Sequence, residues 1–172
     1  MKIPSTETWS FTNVRFLPVV REYAKRIKLV ETINTMVDCE MELQPGEAVL
    51  AMVMDTLCGR SPLYRMKDSL KDQDVELLIG KSIPPERFNE TNLTRGMDKI
   101  YDIGPFKIFS QIGQNAINGF EIVPSPGFHF DTTSVSVLGD YDFDDPSSLK
   151  ITYGHSKNKR PDLKQFMLSM LL

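Results

Sequence analysis

Cysteine is scarce in this sequence. Cys39 and Cys58 are the two thiols in 172 residues, and without Cys-x-x-Cys spacing they make neither a disulfide framework nor a zinc site. Two such thiols in a chain of this length point to a reducing, cytosolic setting. Long apolar runs are missing too. No window approaches the roughly 20 consecutive apolar residues of a membrane span, and Met1-Lys2-Ile3-Pro4-Ser5-Thr6-Glu7 lacks the apolar core of a secretory leader. The expectation is a soluble, cytoplasmic protein with no membrane partner. Neither sign of charge dominates, the formal net charge being -3. The chain therefore has no global electrostatic footprint for nucleic acid, and any DNA contact must come from a local patch. Internal repeats and low-complexity segments are absent up to Phe120.

What is present begins with helical spacing. Leu17, Val20, Ala24 and Ile27, then Val30, Ile33 and Val37, predict two short helices. Pro45-Gly46-Glu47 opens a run with Val49, Leu50, Met52, Val53, Met54 and Leu57 that is apolar on nearly every side, the pattern of a central buried helix ending at Gly59. Ser61-Pro62 places a capping hydroxyl before a proline at the first helical position, and Leu63, Met66 and Leu70 line the face that follows. A further helix is predicted over Asp74–Ile79, stopped by Gly80. Leu93, Met97, Ile100 and Tyr101 form the next stripe, with Asn92 as its cap. Gly104-Pro105 ends that helix and starts another, whose stripe is Phe106, Phe109, Gly113, Ala116, Ile117 and Phe120. The methionines Met52, Met54 and Met66 read as core filler. Arg15, Arg21, Lys25, Arg26 and Lys28 cluster at the first helix, where an exposed helix face is favoured over a DNA-contacting one.

The period changes after Ile122-Val123-Pro124-Ser125-Pro126-Gly127, a boundary dividing the chain into residues 1–121 and 122–172. Phe128 to Leu138 is strand-like, Gly139 to Ser148 reads as an acidic turn, and Leu149 to Tyr153 alternates with a period of two. Pro161 then introduces an amphipathic helix with Leu163, Phe166, Met167, Met170 and Leu171 on one face. Asp131 stands out, because an aspartate in an apolar, β-branched run is depleted in strands and costly to bury without a partner. Locally it reads equally well as a cap or turn residue opening Asp-Thr-Thr-Ser and as a metal ligand. Lys150, Lys157, Lys159, Arg160 and Lys164, against the one acid Asp162, make a local basic patch, with His155 and Ser156 as further donors. Its place beside the Asp131 strand favours contact with DNA phosphates. Asp140, Asp142, Asp144 and Asp145 do not form a calcium loop, since Asp145 and Ile151 fall where such a loop needs glycine and glutamate. They read as a solvated turn, and His129 as a core histidine.

Several segments carry a resemblance: Leu43-Gln44-Pro45-Gly46-Glu47, Leu57-Cys58-Gly59-Arg60-Ser61-Pro62-Leu63-Tyr64-Arg65 and Asp74-Val75-Glu76-Leu77-Leu78. More specific are His129-Phe130-Asp131-Thr132-Thr133-Ser134 and Tyr153-Gly154-His155-Ser156-Lys157 with Arg160-Pro161-Asp162-Leu163-Lys164-Gln165. On these the sequence resembles bacterial and archaeal insertion-sequence transposases of the DDE superfamily, in the group with a helical domain of unknown function ahead of an RNase H-like catalytic domain. The resemblance implies an α+β chain. An N-terminal all-α helical bundle would be followed by a partial RNase H-like unit of two to three β-strands and one C-terminal helix. It places Asp131 at the first of three catalytic carboxylates and as a metal ligand. It also implies DNA contacts from His155, Ser156, Lys157, Lys159, Arg160 and Lys164. Asn158 and Lys159 depart from the acid and histidine more usual there.

The family chemistry uses two divalent ions, Mg or Mn, one activating the attacking oxygen and the other steadying the leaving one. The second and third carboxylates have no counterpart in these residues, and one carboxylate leaves magnesium largely water-bound. The resemblance therefore implies a truncated transposase, inactive alone but able to bind DNA at the element's terminal repeats, with itself or full-length transposase as a protein partner. The alternative is a stand-alone DNA-binding or regulatory protein that competes with full-length transposase. A phosphotransferase using Asp131 as nucleophile is disfavoured, because Thr133 stands where those enzymes usually carry a second acid.

Overall fold

The computed structural model describes residues 12–123, 130–141, 149–155 and 159–171. The chain divides into two compact units, residues 1–123 and 124–172. The described elements are mostly helical with a small antiparallel sheet near the C-terminus, an α+β chain with a helical N-terminal part.

The helical unit holds α1 (Leu17–Arg26), α2 (Leu29–Met36), α3 (Pro45–Cys58), α4 (Met66–Lys71), α5 (Val75–Ile79), α6 (Glu90–Ile103) and α7 (Pro105–Gly119), with single 3-10 turns at Leu63–Arg65 and Pro85–Arg87. Helix α3 is the centre of its core. Ala48, Leu50, Ala51 and Met54 are buried among Ile33, Leu43, Met66, Leu78, Phe88 and Leu93, as the all-round apolar run requires. Pro45 fits the first turn of α3, where its missing N–H would have had no helical partner.

Gly46 lets α3 approach α2 closely. A Cβ built on it would lie 2.6 Å from the Asn34 side-chain oxygen and 2.7 Å from the Val30 carbonyl oxygen. Gly96 of α6 faces the same corner, its Cβ position 3.6 Å from Pro45 Cα.

Two capping expectations are corrected. The Ser61 hydroxyl does not cap a helix, because Leu63–Arg65 is a 3-10 turn with no side-chain cap. Ser61 is held instead through its backbone N–H, which donates to Asp55 Oδ2 at 2.6 Å. The cap of α6 is Asn89 rather than Asn92, its side-chain oxygen accepting from the Asn92 N–H at 3.0 Å.

The inward face of α7 also differs from the predicted stripe. Ile108 is buried and Ile112 packs on the core, while Phe106 and Phe109 remain 81% and 66% exposed. Polar contacts set this rotation: Asn115 Nδ2 donates to Thr32 Oγ1 at 2.8 Å, and Arg26 Nε donates to the Gly119 carbonyl at 2.7 Å. Periodicity finds a helix, but when apolar residues occupy more than one side it does not say which side turns inward.

In the second unit β1 (Phe130–Val137) and β3 (Lys164–Leu171) pair antiparallel along their whole length, and β2 (Thr152–Tyr153) pairs antiparallel with the other edge of β3, giving the order β1-β3-β2. The helix predicted after Pro161 is therefore a strand. Phe166 to Leu171 is apolar at every position but Ser169, so helical spacing and strand patterning both fit it. The eight-residue length and the complete ladder with β1 decide for the strand.

Candidate functional site

Asp131 is the second residue of β1, paired across the ladder with Met170. It sits within a strand and so caps no helix. Its side chain is exposed, and Oδ1 accepts a hydrogen bond from the Thr132 N–H at 2.8 Å. Exposure removes the desolvation cost that made an unpaired aspartate in this run look expensive.

Among the described residues no group of three or more His, Cys, Asp or Glu side chains is placed to hold a metal ion together. These residues therefore do not by themselves fit a magnesium centre of the two-ion kind, which needs several carboxylate oxygens at fixed positions.

The sheet register places Lys164 away from Asp131. Lys164 opens β3 and pairs with both Val137 and Tyr153, and its ammonium lies 6.0 Å from the Tyr153 ring centroid. Six strand positions separate Asp131 from Val137, about 20 Å at the usual rise per residue. Lys164 and Asp131 thus lie at opposite ends of the β1–β3 ribbon, although β3 itself runs beside the Asp131 strand. His155, just beyond β2, is exposed, as is Lys159, which adopts a left-handed conformation with φ of 55°. Ser156, Lys157, Asn158, His129, Asp142, Asp144 and Asp145 lie outside the described residues.

Arg160 has an acidic partner. Its Nε donates to Asp162 Oδ1 at 2.8 Å and its Nη2 to Asp162 Oδ2 at 2.7 Å, a two-point fork across a tight turn. The hydrogen bonds from Arg160 hold the Asp162 carboxyl below the usual carboxylate range. Lowering of this kind favours the paired turn above the unfolded-state pKa, and the benefit disappears as pH falls through the folded value. The Arg160 Nε–H resonance should therefore stay sharp and shifted at neutral pH and collapse toward its random-coil position in acid below the ordinary aspartate range. A resonance that does not move with pH would rule out the fork in solution.

In the helical unit, several residues of the segments carrying the resemblance make structural contacts. Glu47, 1% exposed, is buried in the first turn of α3. Its Oε2 accepts from Asn34 Nδ2 at 2.8 Å, and its Oε1 pairs with the Lys81 ammonium. Asn34 completes the corner by accepting the Gly46 N–H at 2.7 Å. Asp55 ties down the turn after α3 by accepting from Ser61, and the Asp74 side chain caps α5 by accepting from the Leu77 N–H at 2.9 Å. Sequence reasoning missed the Asn34–Glu47–Lys81 cluster. Its one local signal was a glutamate inside an otherwise apolar helix, a buried charge that needs a partner.

These features define a class: an all-helical module with a polar corner built on Pro-Gly-Glu, joined to a three-stranded antiparallel sheet whose first strand carries an exposed aspartate. Residues 9–114 match the family described as Domain of unknown function (DUF4277), and the chain belongs to that family. The family is found in transposase-like proteins. No curated protein and no solved structure matches the chain.

Proposed function

We propose that this protein is a transposase-derived DNA-binding protein. Its helical domain stands ahead of the strand bearing the first carboxylate of a DDE-type, RNase H-like catalytic fold, and these 172 residues bind DNA without cutting it. The observation that carries this reading is the family match over residues 9–114, followed by an antiparallel strand pair with Asp131 near its start. Lys159 and Lys164, at the far end of the ribbon, are the described cations of this unit that the reading assigns to phosphate contact, and Arg160 joins them while keeping its fork on Asp162.

Fluorescence anisotropy tests it, using a labelled duplex carrying the inverted repeats that flank the coding sequence and an unrelated duplex of equal length. The expected result is binding to both at low salt and a preference for the repeats of about tenfold or more, the least that base readout adds to phosphate attraction. Magnesium should produce no nicked product. Absence of binding to either duplex at low salt would remove the proposal, and nicking lost on Asp131→Asn would replace it with an active enzyme.

A further inference from the structure

A second place on the molecule gathers positive charge, in the helical unit and far along the chain from the segment after β2. A cleft of about 290 Å³ opens between α1, α2 and the start of α3. Arg21 and Lys25 of α1, Lys28 in the turn before α2, and Lys81 after α5 all line it. Arg21 and Lys25, four residues apart in α1, share one side of that helix. Lys28 takes a left-handed backbone with φ of 54° at the N-cap of α2, where the chain turns and it lines the same cleft. Lys81 is brought to it by folding alone.

The acids in the lining are Glu47 and Glu31. Glu47 is engaged by Lys81 and Asn34, so this buried carboxylate and its cation cancel. Glu31 then stands against Arg21, Lys25 and Lys28, whose side chains form no hydrogen bond or ion pair with another described residue. The walls between them are apolar, formed by Ala24, Leu29, Leu50 and Ile79, and low-dielectric walls strengthen the field of charges at a cleft mouth. A surplus of cations with no protein partner, in a chain of net charge -3, is what a local phosphate-binding patch requires.

We infer that the cleft lined by Arg21, Lys25 and Lys28 is a contact site for the phosphodiester backbone of DNA, separate from the sheet. This deepens the DNA-binding reading and rests on it. The contact is electrostatic and independent of sequence. It orients the helical unit on the duplex, and base recognition falls to other residues.

The test is the salt dependence of duplex binding by the whole chain, comparing the parent with Arg21→Gln/Lys25→Gln/Lys28→Gln. Each lost phosphate contact lowers the slope of log K against log salt by about 0.9, so the slope should fall by between 2 and 3, with binding weakened on the order of 100-fold at about 50 mM salt. The exposed pair Lys25→Gln/Lys28→Gln, which leaves the half-buried Arg21 in place, should show about two-thirds of the change. It keeps the test intact if the triple variant folds poorly. An unrelated duplex should be affected as much as one bearing the repeats. Parent and variants binding duplex with the same slope would overturn this site while leaving DNA binding by the protein intact; a parent that binds no duplex removes both. Millimolar inorganic phosphate that displaces the duplex from the parent, but not from the variants, at constant ionic strength would mark a small-anion pocket and overturn the backbone assignment.

Discussion

Replacing Gly46 by alanine should lower the stability of the helical unit by about 2–3 kcal/mol, the upper part of the range for forcing an extra carbon into a packed interior. An alanine inside a helix is ordinarily the better residue by roughly 1 kcal/mol, so the sign is reversed here, and the reason is geometric. The added methyl would meet the Val30 carbonyl oxygen at 2.7 Å and the Asn34 side-chain oxygen at 2.6 Å. The side chain can swing away only by abandoning the Gly46 N–H and Glu47. The carbonyl is fixed in α2 and cannot move without the helix. Gly113→Ala on α7 supplies the contrast, because nothing lies within 4 Å of its Cβ position. That variant should match the parent or gain up to about 1 kcal/mol from helix propensity. Urea unfolding followed by circular dichroism reads both, and equal midpoints for Gly46→Ala and the parent would mean that α3 does not dock on α2 as described.

The second large effect comes from a residue that looks dispensable. Lys81 has a side chain 57% exposed, and an exposed lysine paired with an exposed acid is worth little. Its partner, however, is Glu47 at 1% exposure. Lys81→Met leaves a buried carboxylate with the Asn34 amide as its remaining hydrogen-bond donor, and stranding a buried charge is far more costly than losing a surface one. The expected loss is about 2–3 kcal/mol, discounted from the fully buried case because the lysine end reaches water. Glu47→Gln keeps the shape, removes the charge and can still accept from Asn34. It should therefore rescue Lys81→Met by about 1 kcal/mol or more in a double-mutant cycle. Strictly additive effects would show that the pair does not form.

Both predictions arise where the sequence could be read only in part. Helix existence was legible because α1 to α7 follow apolar spacing punctuated by Pro45, Gly59, Gly80 and Gly104-Pro105, each of which acts through its own backbone chemistry. Facing was less legible. In α7 the side carrying Phe106 and Phe109 has the larger apolar residues, yet Asn115 and Gly119 turn the helix the other way through contacts with residues far earlier in the chain. Such long-range hydrogen bonds leave no periodic trace. The last strand was misread for a related reason: Leu163, Phe166, Met167, Met170 and Leu171 satisfy a helical template, and only the partner strand decides between the two periods. Of the candidate site, Asp131 as a strand residue was legible, while its separation from Lys164 was not, because distance along a ribbon depends on register.

That separation sets a length scale. A ligand that meets Asp131 and Lys164 together has to reach along about 20 Å of strand, which corresponds to roughly six base-pair steps of duplex at 3.4 Å each. Under the proposed DNA-binding reading the strand pair acts as a ruler, because a duplex longer than half a helical turn spans both ends and a free phosphate reaches only the Lys164 end. Dependence on duplex length, with affinity stepping up near that size, is the behaviour this spacing imposes on anything that uses the whole ribbon.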